Sequence, residues 1–326
     1  MYILSYLIKR LGQGLFIVAF TSMVIFTLLR VVPGDPVRLI VGGMAPADVV
    51  ERVAKDMGLR DPIPVQYARY FGEVMLGDLG RSYVRPQNGM IVSGGQFIDP
   101  TTSNMAKVSS LIADRLPLTL ALGAAAIFMA IAFAFPLGLA AGLYPQSIGA
   151  KLAFFVQSIF VSIPNFWLAI VLIFYLSVQL RWLPALGYQG PSYIFLPAFV
   201  LAVEISPVLI RALSVSIAQT MQAEFVTEAR VRGLPEKQII LGHGLRNAAV
   251  PLMNLLGIQL SSLIGGVLVI EYIFDYPGLG QLTVMAVANR DFPLVQGIAI
   301  LTSAVFVLIN ILVDLASFSI DPRVEL

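Results

Sequence analysis

Apolar residues collect into long runs separated by shorter polar stretches, and six runs are long enough to cross a bilayer as helices. They lie at about 10–31, 116–143, 151–180, 193–218, 250–272 and 297–320. A hydrocarbon core about 30 Å thick needs about 20 mostly apolar residues per helix. Pro136, Pro164 and Pro207 fall inside these spans. Each removes a backbone donor and kinks its helix unless neighbours satisfy the freed carbonyls. The pattern predicts an all-α membrane protein, one domain of six bundled transmembrane helices.

Two polar stretches are too long to be simple connections. In the first, residues 32–115, Pro46 to Met57 reads as an amphipathic helix. Val49, Val50, Val53 and Met57 lie on one face, with Asp48, Glu51, Arg52 and Lys55 elsewhere. A second helix is expected from Pro64 to Met75, then a loop between Arg85 and Asn104, where Gly, Ser, Pro and Thr show no periodicity. This stretch predicts a small cap. The other stretch runs from Met221 to Val250 and carries both signs of charge. Glu224 to Arg232 has helical composition, Gly233 interrupts it, and Pro235 can open a second helix that continues from Glu236 to Leu245. Two short helices meeting at a glycine would project from the membrane as a compact knob.

Charge sets the orientation, because short cytoplasmic loops retain Lys and Arg. With the N-terminus inside, Lys9, Arg10, Lys151, Arg230, Arg232, Lys237, Arg246 and Arg323 are cytoplasmic, and Arg181 and Arg290 remain in short outer loops. The cap is then extracytoplasmic and the 221–250 knob cytoplasmic. Lys9 and Arg10 precede an apolar run, Leu11 to Leu29, that is longer than a signal-peptide core, so it is expected to be an uncleaved first helix.

Composition narrows the chemistry. The chain is 58% hydrophobic and 12% charged, against about 25% charged for an average globular domain. A net charge of +2 without a basic stripe argues against a nucleic-acid partner. The absence of Cys excludes disulfides and thiolate metal sites, and the single His243 cannot build a multi-histidine site. No P-loop, H-E-x-x-H or G-x-S-x-G motif occurs. The chain is therefore expected neither to hydrolyse ATP nor to act as an enzyme.

Glu204 stands out inside the fourth span, where an ionised group costs about 2.5–3.5 kcal/mol on insertion scales. It must face protein or water. Arg211 lies two turns on along the same face, about 10 Å away by helical rise, and is the expected companion. Glu204 either lines a pathway, with Arg211 and Gln259 as further lining candidates, or ties its helix to a neighbour.

These residues carry a resemblance. Glu224-Phe-Val-Thr-Glu-Ala-Arg-Val-Arg-Gly-Leu234, followed by His243-Gly-Leu-Arg-Asn-Ala-Ala-Val-Pro251, resembles the cytoplasmic coupling loop of binding-protein-dependent ABC permeases. The general loop reads E-A-A, three residues, G; here Thr227, Glu228 and Ala229 lead. Pro251 lies about five residues further from the glycine than in the general form. Both departures resemble the dipeptide, oligopeptide and nickel branch. Pro33-Gly-Asp-Pro36, Gly58-Leu-Arg-Asp-Pro62 with Gln66-Tyr67, Gly77-Asp-Leu-Gly80 and Arg115-Leu-Pro-Leu-Thr119 are similar to that branch's outer segment. Glu271-Tyr-Ile-Phe274, Pro277-Gly-Leu-Gly280, Asn310, Asp314 and Asp321-Pro-Arg323 are similar to its end. The stretch from Pro86 to Met105 is longer than usual for these permeases.

The resemblance implies a type I ABC importer permease-like fold: an N-terminus and first helix in 1–31, an extracytoplasmic segment in 32–115, and a five-helix translocation core in 116–326 that holds the coupling loop 221–250. It implies that Glu224, Glu228, Ala229, Arg230, Arg232, Gly233, Leu234, His243, Arg246 and Asn247 engage an ATPase. It implies as partners a homologous second permease subunit, two cytoplasmic ATPase subunits that bind Mg-ATP, an extracytoplasmic substrate-binding protein and membrane lipid. No cofactor is expected on this chain, and its expected place is a bacterial inner membrane. The branch carries peptides, nickel, glutathione, opines and some sugars. The alternatives are an ion-driven secondary transporter, which would show inverted repeats, broken midplane helices and buried carboxylates, and a structural assembly factor.

Overall fold

A computed structural model describes residues 2–31, 36–41, 44–86 and 105–320. In chain order its helices are α1 (Tyr2–Val31), α2 (Pro36–Val41), α3 (Ala47–Asp56), α4 (Ile63–Met75), α5 (Val108–Leu143), α6 (Ile148–Ser162), α7 (Asn165–Leu172), α8 (Phe195–Met221), α9 (Glu224–Val231), α10 (Glu236–Gln238), α11 (Leu245–Ile273), α12 (Leu279–Ala288) and α13 (Phe292–Ile320). Strands β1 (Arg81–Pro86) and β2 (Met105–Lys107) pair antiparallel. The motif residues Pro33 to Asp35 and Asp321 to Arg323, and the expected loop between positions 87 and 104, lie outside the described residues.

Four helices are long and apolar enough to span a membrane, and two bent helix pairs raise the count to six. All six expected spans are present, but two are broken. The third is not one helix over 151–180: α6 and α7 with its π-helical extension (Ile173–Gln179) meet at 94°. Ile163 and Pro164 are extended there, because proline disfavours the α conformation in the residue before it and itself offers no N–H. The fifth bends by 47° between Leu263 and Gly265, at a glycine pair. Pro136 and Pro207, by contrast, lie in helices that run on unbroken.

The described residues form two compact units. The first comprises the chain through Arg10, Leu118–Pro277 and the chain from Phe306. Its core is an alanine-rich stripe of α5 (Leu122, Ala126, Ala130, Ala134) packed with Leu201, Ile205 and Leu209 of α8 and Leu263, Val267 and Ile270 of α11. Gly138 and Gly142 let α5 approach α8 so closely that a Cβ on Gly142 would stand 2.8 Å from the Ser214 carbonyl.

The second unit comprises Leu11–Pro117 and Gly278–Val305. The expected amphipathic helix is α3, and its Val50 and Ala54 are buried against Val37 and Val41 of α2. The loop expected from Arg85 begins later than the composition suggests, since Arg85 and Pro86 belong to β1. Helix α12 was also not legible; its Leu279, Leu282 and Ala286 pack with Val108, Ile112, Leu294 and Ile298. Asp291, buried, accepts hydrogen bonds from the Ser82 hydroxyl and the Tyr83 N–H, and burial pushes its carboxyl above the usual carboxylate range despite them.

Candidate functional site

Residues 221–250 fold around a helix stop. The Gly233 N–H donates to the Arg230 carbonyl (2.9 Å) and the Leu234 N–H to the Ala229 carbonyl (3.1 Å), the paired bonds of a Schellman cap. The cap needs a left-handed residue, and Gly233 supplies it at φ +77°. Leu234 then packs on Val226, Ala229 and Ile239, which closes a small apolar core beneath α9. Pro235 precedes α10 and carries no N–H that its first turn would leave unpaired.

The second knob helix differs from the expectation of an element ending at Leu245. From Glu236 the helical backbone continues through α10 and a π-turn (Ile239–Gly244) directly into α11, so it is the foot of the fifth span. His243 lies in the π-turn and Arg246 in the first turn of α11, their side chains being outside the described set; Asn247 is exposed.

Charges in the knob satisfy one another across the stop. Arg230 Nε donates to Glu236 Oε1 at 2.7 Å, and Arg232 lies 3.6 Å from Glu228 one turn back. The Arg230 guanidinium holds the Glu236 carboxyl below its usual range and is itself raised. Glu224, Thr227, Glu228, Val231 and Arg232, all on one face of α9, line with Gln222 a surface cleft of about 460 Å³. Glu236 and the exposed Val231 were not among the sequence candidates. The spacing of Val231 on the Glu224–Glu228 face could have identified it.

The intramembrane candidates are not bonded to one another. Glu204 and Arg211 form no ion pair, and no hydrogen bond joins either to Gln259, among the described residues. The partner of Glu204 is instead Asn165, whose side-chain amide donates to Oε2 at 2.9 Å. Asn165 opens α7 just after the break of the third span. On its other side Oε2 lies 3.2 Å from where a Cβ of Gly266 would stand, beside the bend of the fifth span. Glu204 is exposed on a groove of about 400 Å³ with otherwise largely apolar walls, including Phe160, Ile163, Val200 and Pro207. Two motifs far apart in sequence also meet: Thr119 donates to the fully buried Glu271 at 2.7 Å, and Tyr276 to the Leu118 carbonyl at 3.1 Å. Among the described residues no cluster of side chains is suited to a metal ion.

A family model described as binding-protein-dependent transport system inner membrane component matches residues 134–326, and the N-terminal model of such components matches residues 3–123. The chain is 33% identical over 322 residues to the glutathione transport system permease protein GsiC of Escherichia coli K12, covering 99% of each chain. Against GsiC of Pectobacterium atrosepticum it is 33% identical over 326 residues, again 99% of each. Among solved structures it resembles the methionine ABC transporter MetNI in an inward-facing conformation, with a TM-score of 0.53, 21% identity, and coverage of 65% of this chain and 97% of that one.

Proposed function

The chain belongs to the family of binding-protein-dependent transport system inner membrane components, and from that premise we propose that it forms half of the pore of a peptide-type ABC importer and takes its drive through the 221–250 knob. It is a transport permease rather than an enzyme. In this reading Mg-ATP is hydrolysed by two separate cytoplasmic subunits, a homologous permease completes the pore, and an extracytoplasmic binding protein delivers cargo. The cargo is a small peptide or a peptide-like solute, a reading supported by relatives named as glutathione transport permeases. Cytoplasmic placement of the knob and extracytoplasmic placement of the cap follow the Lys and Arg distribution.

The observation that carries the reading is the continuity of the second half of the knob with a span. Helix α9 is joined across its glycine stop by the Arg230–Glu236 clasp to a helical backbone that runs from Glu236 into α11, so a push on α9 is passed to the foot of the fifth span. The α9 cleft, with its carboxylates, arginine and exposed valine, is the surface on which a partner would press. Broken spans and a buried carboxylate, features also expected of an ion-driven carrier, are present here, but membership of this family favours the ATP-driven reading.

The test uses the assembled complex in lipid, with ATPase activity stimulated by loaded binding protein and uptake as readouts. Gly233→Leu meets open space within this chain, so its cost is the left-handed backbone, about 1–2 kcal/mol. Arg230→Glu sets two carboxylates against each other at the clasp. Both variants are expected to insert normally and to lose stimulated activity and uptake. Wild-type coupling in both would remove the knob from the drive.

A further inference from the structure

In the second unit, three helices, the turns after α3 and α4 and the start of β1 line one cavity of about 410 Å³. Phe26 and Arg30 come from α1, one turn apart; Gln66, Arg69, Tyr70 and Glu73 come from α4 at i, i+3, i+4 and i+7; Gln296 comes from α13. Of the six buried side-chain polar atoms without a partner among the described residues, four belong to this lining: Arg30 Nε, Gln66 Oε1, Tyr70 Oη and Gln296 Nε2. Gln66 and Gln296 are only 8% and 5% exposed. The Gln66 amide is held by its own N–H groups, which donate to the Leu59 and Asp61 carbonyls, so its oxygen is the atom left over. Buried polar groups are normally paired, and four exceptions around one cavity call for an occupant.

The charges indicate its class. Arg69 is paired with Asp61 at 2.7 Å, and Arg81 donates to the Met105 carbonyl at 3.1 Å. Arg30 has no acidic partner among the described residues. A side-chain hydrogen bond joins its guanidinium to Tyr83, and the rings of Phe26 (5.0 Å) and Phe292 (6.0 Å) lie against it, so Nε is the atom left over. Glu73, on the exposed side, likewise forms no ion pair among the described residues. The lining thus holds donors on Arg30, Tyr70 and Gln296, an acceptor at Gln66, and exposed carboxylates at Glu73 and Asp78, of which Asp78 accepts from the Gly80 N–H; a guanidinium is the donor that suits a carboxylate. We propose that this cavity binds a small zwitterionic solute, of amino-acid or dipeptide size, with its carboxylate on Arg30 and its ammonium towards Glu73. The volume falls in the usual range for small-molecule sites, about 300–1,000 Å³. This site is separate from the groove at Glu204 and does not depend on the transport role.

The full chain, purified without partners into lipid nanodiscs, is titrated with alanyl-alanine while heat of binding and the unfolding midpoint are followed. Saturable one-site binding is expected, weakened at least about tenfold, or about 1.4 kcal/mol, by Arg30→Met. Gln296→Leu is expected to weaken it comparably while leaving the ligand-free midpoint at or above wild type. Replacing an unpaired buried amide by an apolar group of similar size removes a desolvation penalty, so this variant decides the matter if Arg30→Met does not fold. Alanine competes, whereas acetate and ethylamine, each with one of the two charges, compete poorly. The proposal is overturned by any of three results: no saturable binding to the wild type, undiminished binding in Gln296→Leu, or acetate competing as well as alanine.

Discussion

Glu204 is placed by two features that its own helix does not contain. The third span breaks at Pro164 and presents Asn165, while the fifth presents Gly266 without a side chain, and the carboxylate lies between them. The charge therefore touches both bent spans and remains exposed to a groove. Glu204→Gln keeps an acceptor for the Asn165 amide and removes only the charge. In the reconstituted complex, uptake is expected to fall about tenfold or more, a barrier change of about 1.4 kcal/mol, with assembly unaffected. A fully active variant would reject the pathway role, and loss of the assembled complex would make Glu204 a structural tie.

At the scale of elements, close approach of α5 and α8 organises the first unit. Gly138 and Gly142 are one turn apart, and Cβ atoms there would stand 2.9 Å from the Leu213 Cβ and 2.8 Å from the Ile217 Cβ. Small residues four apart let membrane helices pack backbone to backbone, where dispersion does what the hydrophobic effect cannot do in lipid. Gly142→Ala should lower the unfolding midpoint of the isolated chain in lipid, by about 1–3 kcal/mol of overpacking. Gly123→Ala on the same helix meets nothing within 4 Å and should be neutral or mildly stabilising. Equal losses at both positions would show that helix propensity, not the α5–α8 contact, is being measured.

For the whole molecule, sidedness is the property on which the transport reading depends. The chain contains no Cys, so introduced ones report without background. Leu76, Gln189 and Gln238 are all exposed and lie in the cap, the third-to-fourth connection and the knob. Cysteines at Leu76 and Gln189 should react in intact cells with an impermeant thiol reagent, and one at Gln238 only after permeabilisation. The opposite pattern would place the knob outside and disconnect it from any cytoplasmic ATPase.

The six spans were legible because crossing a bilayer is a demand on length and composition that each run meets alone. The Gly233 stop and the Pro235 restart were legible for a similar reason: a left-handed cap and a missing N–H are local backbone chemistry. The same locality explains the failures. Nothing in the sequence distinguishes Pro164, which breaks its span by 94°, from Pro207, which sits inside an intact helix. Arg211 looked like the companion of Glu204 because helical spacing was the only geometry at hand; Asn165, thirty-nine positions away, is its partner. Tertiary structure likewise brought Thr119 to Glu271, Ser82 to Asp291, and residues of three helices, two turns and a strand around one cavity. Such groups meet only where packing joins segments distant in the chain, and one sequence does not encode those distances in any periodicity or spacing.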